Sequence, residues 1–192
     1  MTPTQTMNLT NNFIIAMPNL SDPFFEKTVS YICQHTDQGA MGLTINHPTD
    51  ISFSYFLSQL GITLEEESLT STPIYLGGPI ETQHGFILHS NDIEPSNSPQ
   101  TLKINDSISL SSSKDILLAI AKGEGPSKFL ITLGYAGWVK DQLEHEIQQN
   151  SWLNVASNND IIFSTPANKR WERAASQLGI DINLISGDIG HG

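Results

Sequence analysis

The side chains able to do chemistry are few, and their spacing decides what they can do. Cys33 and His35 stand two apart in Val29-Ser-Tyr-Ile-Cys-Gln-His, where a thiolate–imidazole pair is the chemistry their types suggest. Two residues along a strand rise about 6.6 Å, too far for direct proton transfer, so a buried structural Cys33 is expected. Glu144, His145 and Glu146 are consecutive, and on a helix they diverge by about 100° each, so they cannot converge on one metal. Leu143 and Ile147 form that helix's inward pair, which makes the acidic residues a solvated face that suits the helix dipole. His84 and His89, five apart in a strand, fall on opposite faces. Lys169, Arg170 and Arg173, three of the nine basic residues, read as a solvated helix face whose long stems cover apolar surface beside Trp171.

Glycines mark the remaining places of interest. Gly134 and Gly137 flank Tyr135-Ala136, where a strand over 129–133 is expected to hand over to a helix over 140–150. Such a turn lets backbone approach a ligand, though tight turns use glycine regardless. Gly77-Gly78-Pro79 invites the same two readings. The candidate ligand-binding positions are Asn46, Pro48, Gly77, Gly78, His89, Gly134, Tyr135, Gly137 and Trp138. Tyr135, Trp138, Trp152 and Trp171 read first as packing aromatics. No catalytic residue, metal ligand or cofactor is assigned. Gly-x-Ser-x-Gly, the Walker phosphate loop and a strand-following Gly-x-Gly-x-x-Gly are all missing from the sequence, which argues against those enzyme classes.

The elements that must position these residues alternate between strand and helix patterns. Strands are expected over 13–17, over a hairpin spanning 29–46, and over 73–76, 85–89, 101–104, 108–110, 129–133 and 161–164. The hairpin alternation puts Val29, Tyr31, Cys33 and His35 on one face. Phe53, Phe56, Leu57 and Leu60 predict an amphipathic helix between a Ser52 cap and Gly61. Ser112 with Asp115 predicts a second, ended by Gly123, and Thr165-Pro166 opens a last one carrying Trp171, Ala174, Ala175 and Leu178. A polar loop spans 90–100. Hairpins with single helices inserted between them give an α+β fold, and 192 residues suit one domain over 1–192.

A net charge of −11 opposes direct nucleic-acid binding, which draws on Lys and Arg. The start lacks a basic region, no stretch reaches the roughly 20 apolar residues of a membrane span, and the single cysteine forms no internal disulfide; cytoplasmic residence without membrane contact is expected.

The chain resembles the AlgH/YqgE family of bacterial proteins. The resemblance rests on Phe13-Ile-Ile-Ala-Met-Pro18 with Asp22-Pro23, Gly39-Ala-Met-Gly-Leu-Thr-Ile-Asn-His-Pro48, Gly77-Gly78-Pro79, Gly85-Phe-Ile-Leu-His89, residues 133–153, Arg170-Trp171 and Gly190-His191. It implies a bifurcated, barrel-like, largely antiparallel sheet surrounded by helices. The chain departs from the family pattern at His47, where an Arg often precedes the proline, and at Val139, where a Gly often follows the tryptophan. Members are often labelled transcriptional regulators, and the resemblance carries over no catalytic residue. The expectation is a non-enzymatic regulatory or binding protein, an indirect regulator acting through a protein or small-molecule partner. The alternative is an enzyme acting on a small molecule in a cleft near Asn46, Gly77, His89 and Tyr135.

Overall fold

The computed structural model describes residues 7–93 and 99–185; positions 94–98 of the expected loop, and Gly190 and His191 of the resemblance, lie outside them. The strands are β1 (Asn12–Ala16), β2 (Val29–Thr36), β3 (Gly39–Thr44), β4 (Ile74–Leu76), β5 (Ile80–Ser90), β6 (Thr101–Lys103), β7 (Ile108–Ser111), β8 (Phe129–Val139) and β9 (Trp152–Ala156). The helices are α1 (Phe53–Gln59), α2 (Lys114–Ala121), α3 (Gln142–Gln148), α4 (Asn159–Phe163) and α5 (Ala167–Ser176). The strands form one curled sheet in the order β6-β7-β5-β8-β3-β2-β1-β9, antiparallel except where β4 runs parallel to β8. This is the mixed α+β architecture with a bifurcated sheet that the resemblance implied.

Three cores hold the sheet. Phe13 and Ile15 of β1 enter one core with Trp171 and Ala174 of α5, while Ile14 and Ala16 enter another with Trp138, Leu143 and Trp152. Buried on both faces from Phe13 to Ala16, β1 is apolar at each of those positions and shows no alternation. The third core lies under α1 and α2, where Phe53, Leu57, Ile116 and Ile120 meet Ile87 and Ile131.

The sheet divides along β8. Its first half lies between β5 and the parallel β4, which pairs Ile131 to Leu133. Its second half leaves β4 and pairs Ala136 to Val139 with β3. The expected strand-to-helix turn at Gly134 and Gly137 is therefore not there, because the strand continues to Val139 and the helix starts only at Gln142. Gly134 sits at the division with φ +73°, and a Cβ on it would stand 2.5 Å from the Gly78 carbonyl oxygen. A Cβ on Gly77 or Gly78 would in turn strike the backbone of Gly134 or Tyr135. Glycine is required here by the crossing of two main chains.

Four further expectations are corrected. The run 161–164 is not a strand but lies at the end of α4, whose start Asn158 caps by accepting the Asp160 N–H; a short apolar run does not separate the two on pattern alone. The sequence reading has no counterpart for β9, which pairs antiparallel with β1. The cap of α2 is Ser113 and not Ser112, and its side chain makes no capping bond. In β2 the pairing shifts between Ile32 and Gln34, leaving Cys33 as an extra residue opposite β3. The bulge reverses the alternation beyond it. Cys33 stays in the core with Val29 and Tyr31, whereas His35 turns to the α3 side and meets Glu144 at 2.7 Å.

That contact also corrects the solvated acidic face of α3. Glu144 engages His35, and one carboxylate oxygen of Glu146 accepts the indole N–H of both Trp138 (3.0 Å) and Trp152 (2.9 Å). The helix is held to the sheet by its acids as well as by Leu143.

Gly134→Ala is expected to cost about 2 to 4 kcal/mol, combining left-handed strain with the clash. Gly61→Ala, at φ +71° with nothing within 4 Å, should cost only about 1 to 2 kcal/mol; urea midpoints of the two variants check the difference. Glu146→Ala should cost about 2 to 3 kcal/mol in the same assay, because two indole donors lose a charged acceptor.

Candidate functional site

The nine candidate positions separate into two places. Asn46, Pro48, Gly77, Gly78, Gly134 and Tyr135 gather around the division of the sheet and are bound to backbone there. The Asn46 amide accepts the Val29 N–H and donates to the Lys27 carbonyl. Pro48 bridges to Tyr75, the Thr44 N–H donates to Gly77, and the Gly77 N–H donates to Leu133. Tyr135 packs edge-on against Phe86 at 5.5 Å. Gly137 pairs with Met41, and Trp138 is buried under α3. Every one of these contacts clasps the fold.

His89 stands apart. It pairs with Phe129 while Ile80 pairs with Tyr135, a separation of six residues along β8 or about 20 Å. The cavity that His89 lines does not include Asn46, Gly77 or Tyr135. It has a volume of about 510 Å³ and lies between the β5–β7–β6 ribbon and α2.

Strand register builds the polar wall of this cavity. His89 lies opposite Ser109, and Ile87 opposite Ser111, so His89 and Ser111 are diagonal neighbours on one face while Leu88 and Leu110 point to the opposite core. The imidazole is 4% exposed and Ser111 2%. His89 Nε2 lies 2.9 Å from Ser111 Oγ, which lies 2.8 Å from Thr101 Oγ1. His89 Nδ1 lies 3.0 Å from the Ser90 carbonyl oxygen. A carbonyl can only accept, so Nδ1 carries the proton, Nε2 accepts from the Ser111 hydroxyl, and Thr101 donates to Ser111. Burial lowers the His89 pKa below the ordinary histidine value, against a smaller opposing effect of the Ser90 bond and Asp92, and this keeps the ring neutral.

The rest of the wall is equally built. Ser109 donates to the Asn91 side-chain oxygen at 2.6 Å. Asp92 accepts from Ser90 at 2.8 Å and from Ser127, which ties the end of β5 to the approach of β8. Ile93, Ile116 and Ala119 form the apolar side, Lys103 pairs with Asp106 at 3.2 Å, and Asp115 also lines the cavity. Sequence reasoning missed Ser109, Ser111 and Thr101. The signal was present as serine at 107, 109, 111 and 113, a period of two that marks a hydroxyl-bearing strand face.

The basic cluster also separates. Lys169 and Arg173 line an open hollow of about 740 Å³ together with Asp160, Glu172 and Asp181, a mixture of charges in water. Arg170, expected to be solvated, is 5% exposed. Its Nε donates to the Thr165 carbonyl at 2.9 Å, Nη1 donates to the Ile45 carbonyl, and the guanidinium lies 4.9 Å from the Tyr75 ring centroid. It holds α5 to the end of β3, a fork of donors used on carbonyls in place of an anion.

The depressed His89 pKa sets a pH dependence. An unfolded histidine titrates near about 6.5, whereas folded His89 takes its proton only at lower pH. Between the two values the unfolded chain holds the extra proton, so this group removes stability as pH falls from about 7 until the folded value is passed. Wild type should therefore lose more stability than His89→Gln between pH 7 and 5. Denaturant midpoints read the effect, and parallel curves would refute it.

The chain matches the AlgH-like family over residues 13–183. It is 46% identical over 189 residues to a UPF0301 protein of Burkholderia multivorans, covering 98% of each chain, and 45% identical over the same coverage to one of Burkholderia ambifaria. The fold is similar to the solution structure of the AlgH protein from Pseudomonas aeruginosa, with a TM-score of 0.78 and 39% identity over 100% of both chains. A crystal structure of a Corynebacterium diphtheriae protein shares the fold at a TM-score of 0.71 and 15% identity, over 92% of this chain and 90% of that one. With the family's pattern running through nearly every element of the sheet, the chain belongs to the AlgH-like family.

Proposed function

We propose that the protein binds a small molecule in the cavity between the β5–β7–β6 ribbon and α2, and that any regulatory role runs through this ligand instead of through DNA. The observation that carries this reading is a cavity of about 510 Å³ walled by the His89–Ser111–Thr101 chain on one side and by Ile93, Ile116 and Ala119 on the other. A few fixed polar groups facing an apolar side are what a ligand pocket of this size requires. The lining holds one cation, Lys103, and two carboxylates, Asp106 and Asp115. This balance selects an uncharged or cationic amphiphile over a phosphate or carboxylate, and the net charge of −11 extends the same preference to the whole surface. No helix among the described residues is long and apolar enough to cross a membrane, which accords with residence in the cytoplasm as part of the same proposal.

A series of short esters, alcohols, amines and carboxylates of matched length, followed by thermal unfolding, tests the reading. A ligand present at ten times its Kd adds about 1.4 kcal/mol, or about 3 to 6 °C for a chain of this size. Neutral or cationic members should raise the midpoint, and Ala119→Leu, which fills the apolar side, should abolish the rise. A series without effect, or a rise that survives Ala119→Leu, would sink the assignment.

A further inference from the structure

We propose that Ser111 and His89 form a nucleophile–base pair that takes the acyl group of a small uncharged ester onto Ser111 Oγ and then passes it to water. The proposal rests on the cavity being a ligand site and goes beyond it by naming a reaction and a substrate class.

Three features of the wall carry it. The first is contact: Ser111 Oγ and His89 Nε2 lie 2.9 Å apart, within the reach a general base needs. The second is the fixed tautomer. The Ser90 carbonyl oxygen, 3.0 Å from Nδ1, compels that nitrogen to donate and leaves the Nε2 lone pair for the serine proton. The carbonyl fills the orienting position that a carboxylate takes in other nucleophile–base sets. The third is rigidity, because both residues sit on paired strands and their separation is set by the β5–β7 register. Ser111 and His89 also line the cavity, so the pair borders space a substrate can enter. This separates it from Cys33, which is buried in the core with no partner able to take its proton.

The step balances without any further reagent than water. Ser111 Oγ forms a bond to the ester carbonyl carbon as its proton passes to His89 Nε2. The carbon–oxygen bond to the alcohol breaks, and His89 returns the proton to the departing alkoxide. Water then gives a proton to Nε2 as its oxygen attacks the acyl-serine, and Ser111 leaves with that proton as the acid is formed. The acyl chain lies on Ile93, Ile116 and Ala119. The first turn of α2 borders the same space through Ser113, Asp115 and Ile116. The lining carboxylates disfavour substrates that are themselves anions.

An alkyl fluorophosphonate, which forms a phosphorus–oxygen bond to an activated serine and releases fluoride, is the probe. Intact mass and peptide mapping of the full chain should find one adduct, at Ser111, and none in Ser111→Ala. Labelling of the wild type should slow as pH falls and His89 is protonated, and His89→Gln should slow it about 100-fold or more. The wild-type pH profile answers the question even if that variant does not fold. Folded wild type without an adduct at Ser111, or an adduct whose rate ignores both pH and His89, overturns the proposal. Thermal shifts by the ester series in the wild type separate the two readings: shifts without labelling leave a binding site with no nucleophile, and loss of both removes the site itself.

Discussion

Where the chain leaving β4 crosses β8, two main chains approach more closely than any side chain allows. Gly77 and Gly78 lie on one chain and Gly134 on the other, and each would drive a Cβ into its counterpart's backbone. Without that approach, β8 could not serve both halves of the sheet. It would pair with β4 and β5 as an ordinary central strand and end there, leaving β3 and the strands beyond it without a partner. Because Gly134 takes a left-handed conformation, the strand turns at the division and continues to Val139. Everything on the β3–β2–β1–β9 side depends on that continuation, including the packing of α3 and α5.

The two branches bury polar groups by different means. On the β3 side, acids on α3 reach back to the sheet: Glu144 to His35, Glu146 to two indoles. The bulge at Cys33 makes the first of these contacts possible, since without it His35 would share the face of Cys33 and point into the opposite core. On the β5 side the polar groups are hydroxyls and a neutral imidazole, which satisfy one another within the strands. Charge anchors a helix in the first case. In the second, the bonds stay within the sheet and the space beside them is left open.

This difference explains what the sequence made legible. Helices with a full apolar stripe, such as α1 with Phe53, Phe56 and Leu57, are read directly because one face decides them. The division of the sheet is not readable, since glycine at a turn and glycine at a crossing of chains look alike in one dimension. β9 was missed although Asn150, left-handed at φ +59°, and Ser151 mark the turn between it and α3, and 161–164 was read as a strand because a short apolar run fits either element. Arg170 looked like surface because it sits beside Lys169 and near Arg173, yet a helix places neighbours about 100° apart and only Arg170 faces Tyr75 and Ile45. Of the candidate site, His89 was legible as a polar residue in an apolar strand. Its partners came from a segment that reads as an ordinary polar stretch unless the period of two in its serines is noticed.

The hydroxyl face is the feature that core formation alone does not explain. Ile108 and Leu110 alternate with Ser109 and Ser111, and the same register that sends the first pair into the core sends the second toward α2. Apolar residues at 109 and 111 would pack against Ile116 and Ile120 and close the cavity, with a gain in buried area. Serine there gives up that burial and brings hydroxyls out of water, which is tolerable only because each finds a partner. Those partners are set by pairing, since His89 opposite Ser109 is also diagonal to Ser111. A slip of one residue between β5 and β7 would send the hydroxyls into the core and Ile108 and Leu110 toward α2. The core therefore enforces the register, and the register holds the imidazole and the hydroxyl in contact at the edge of an open space.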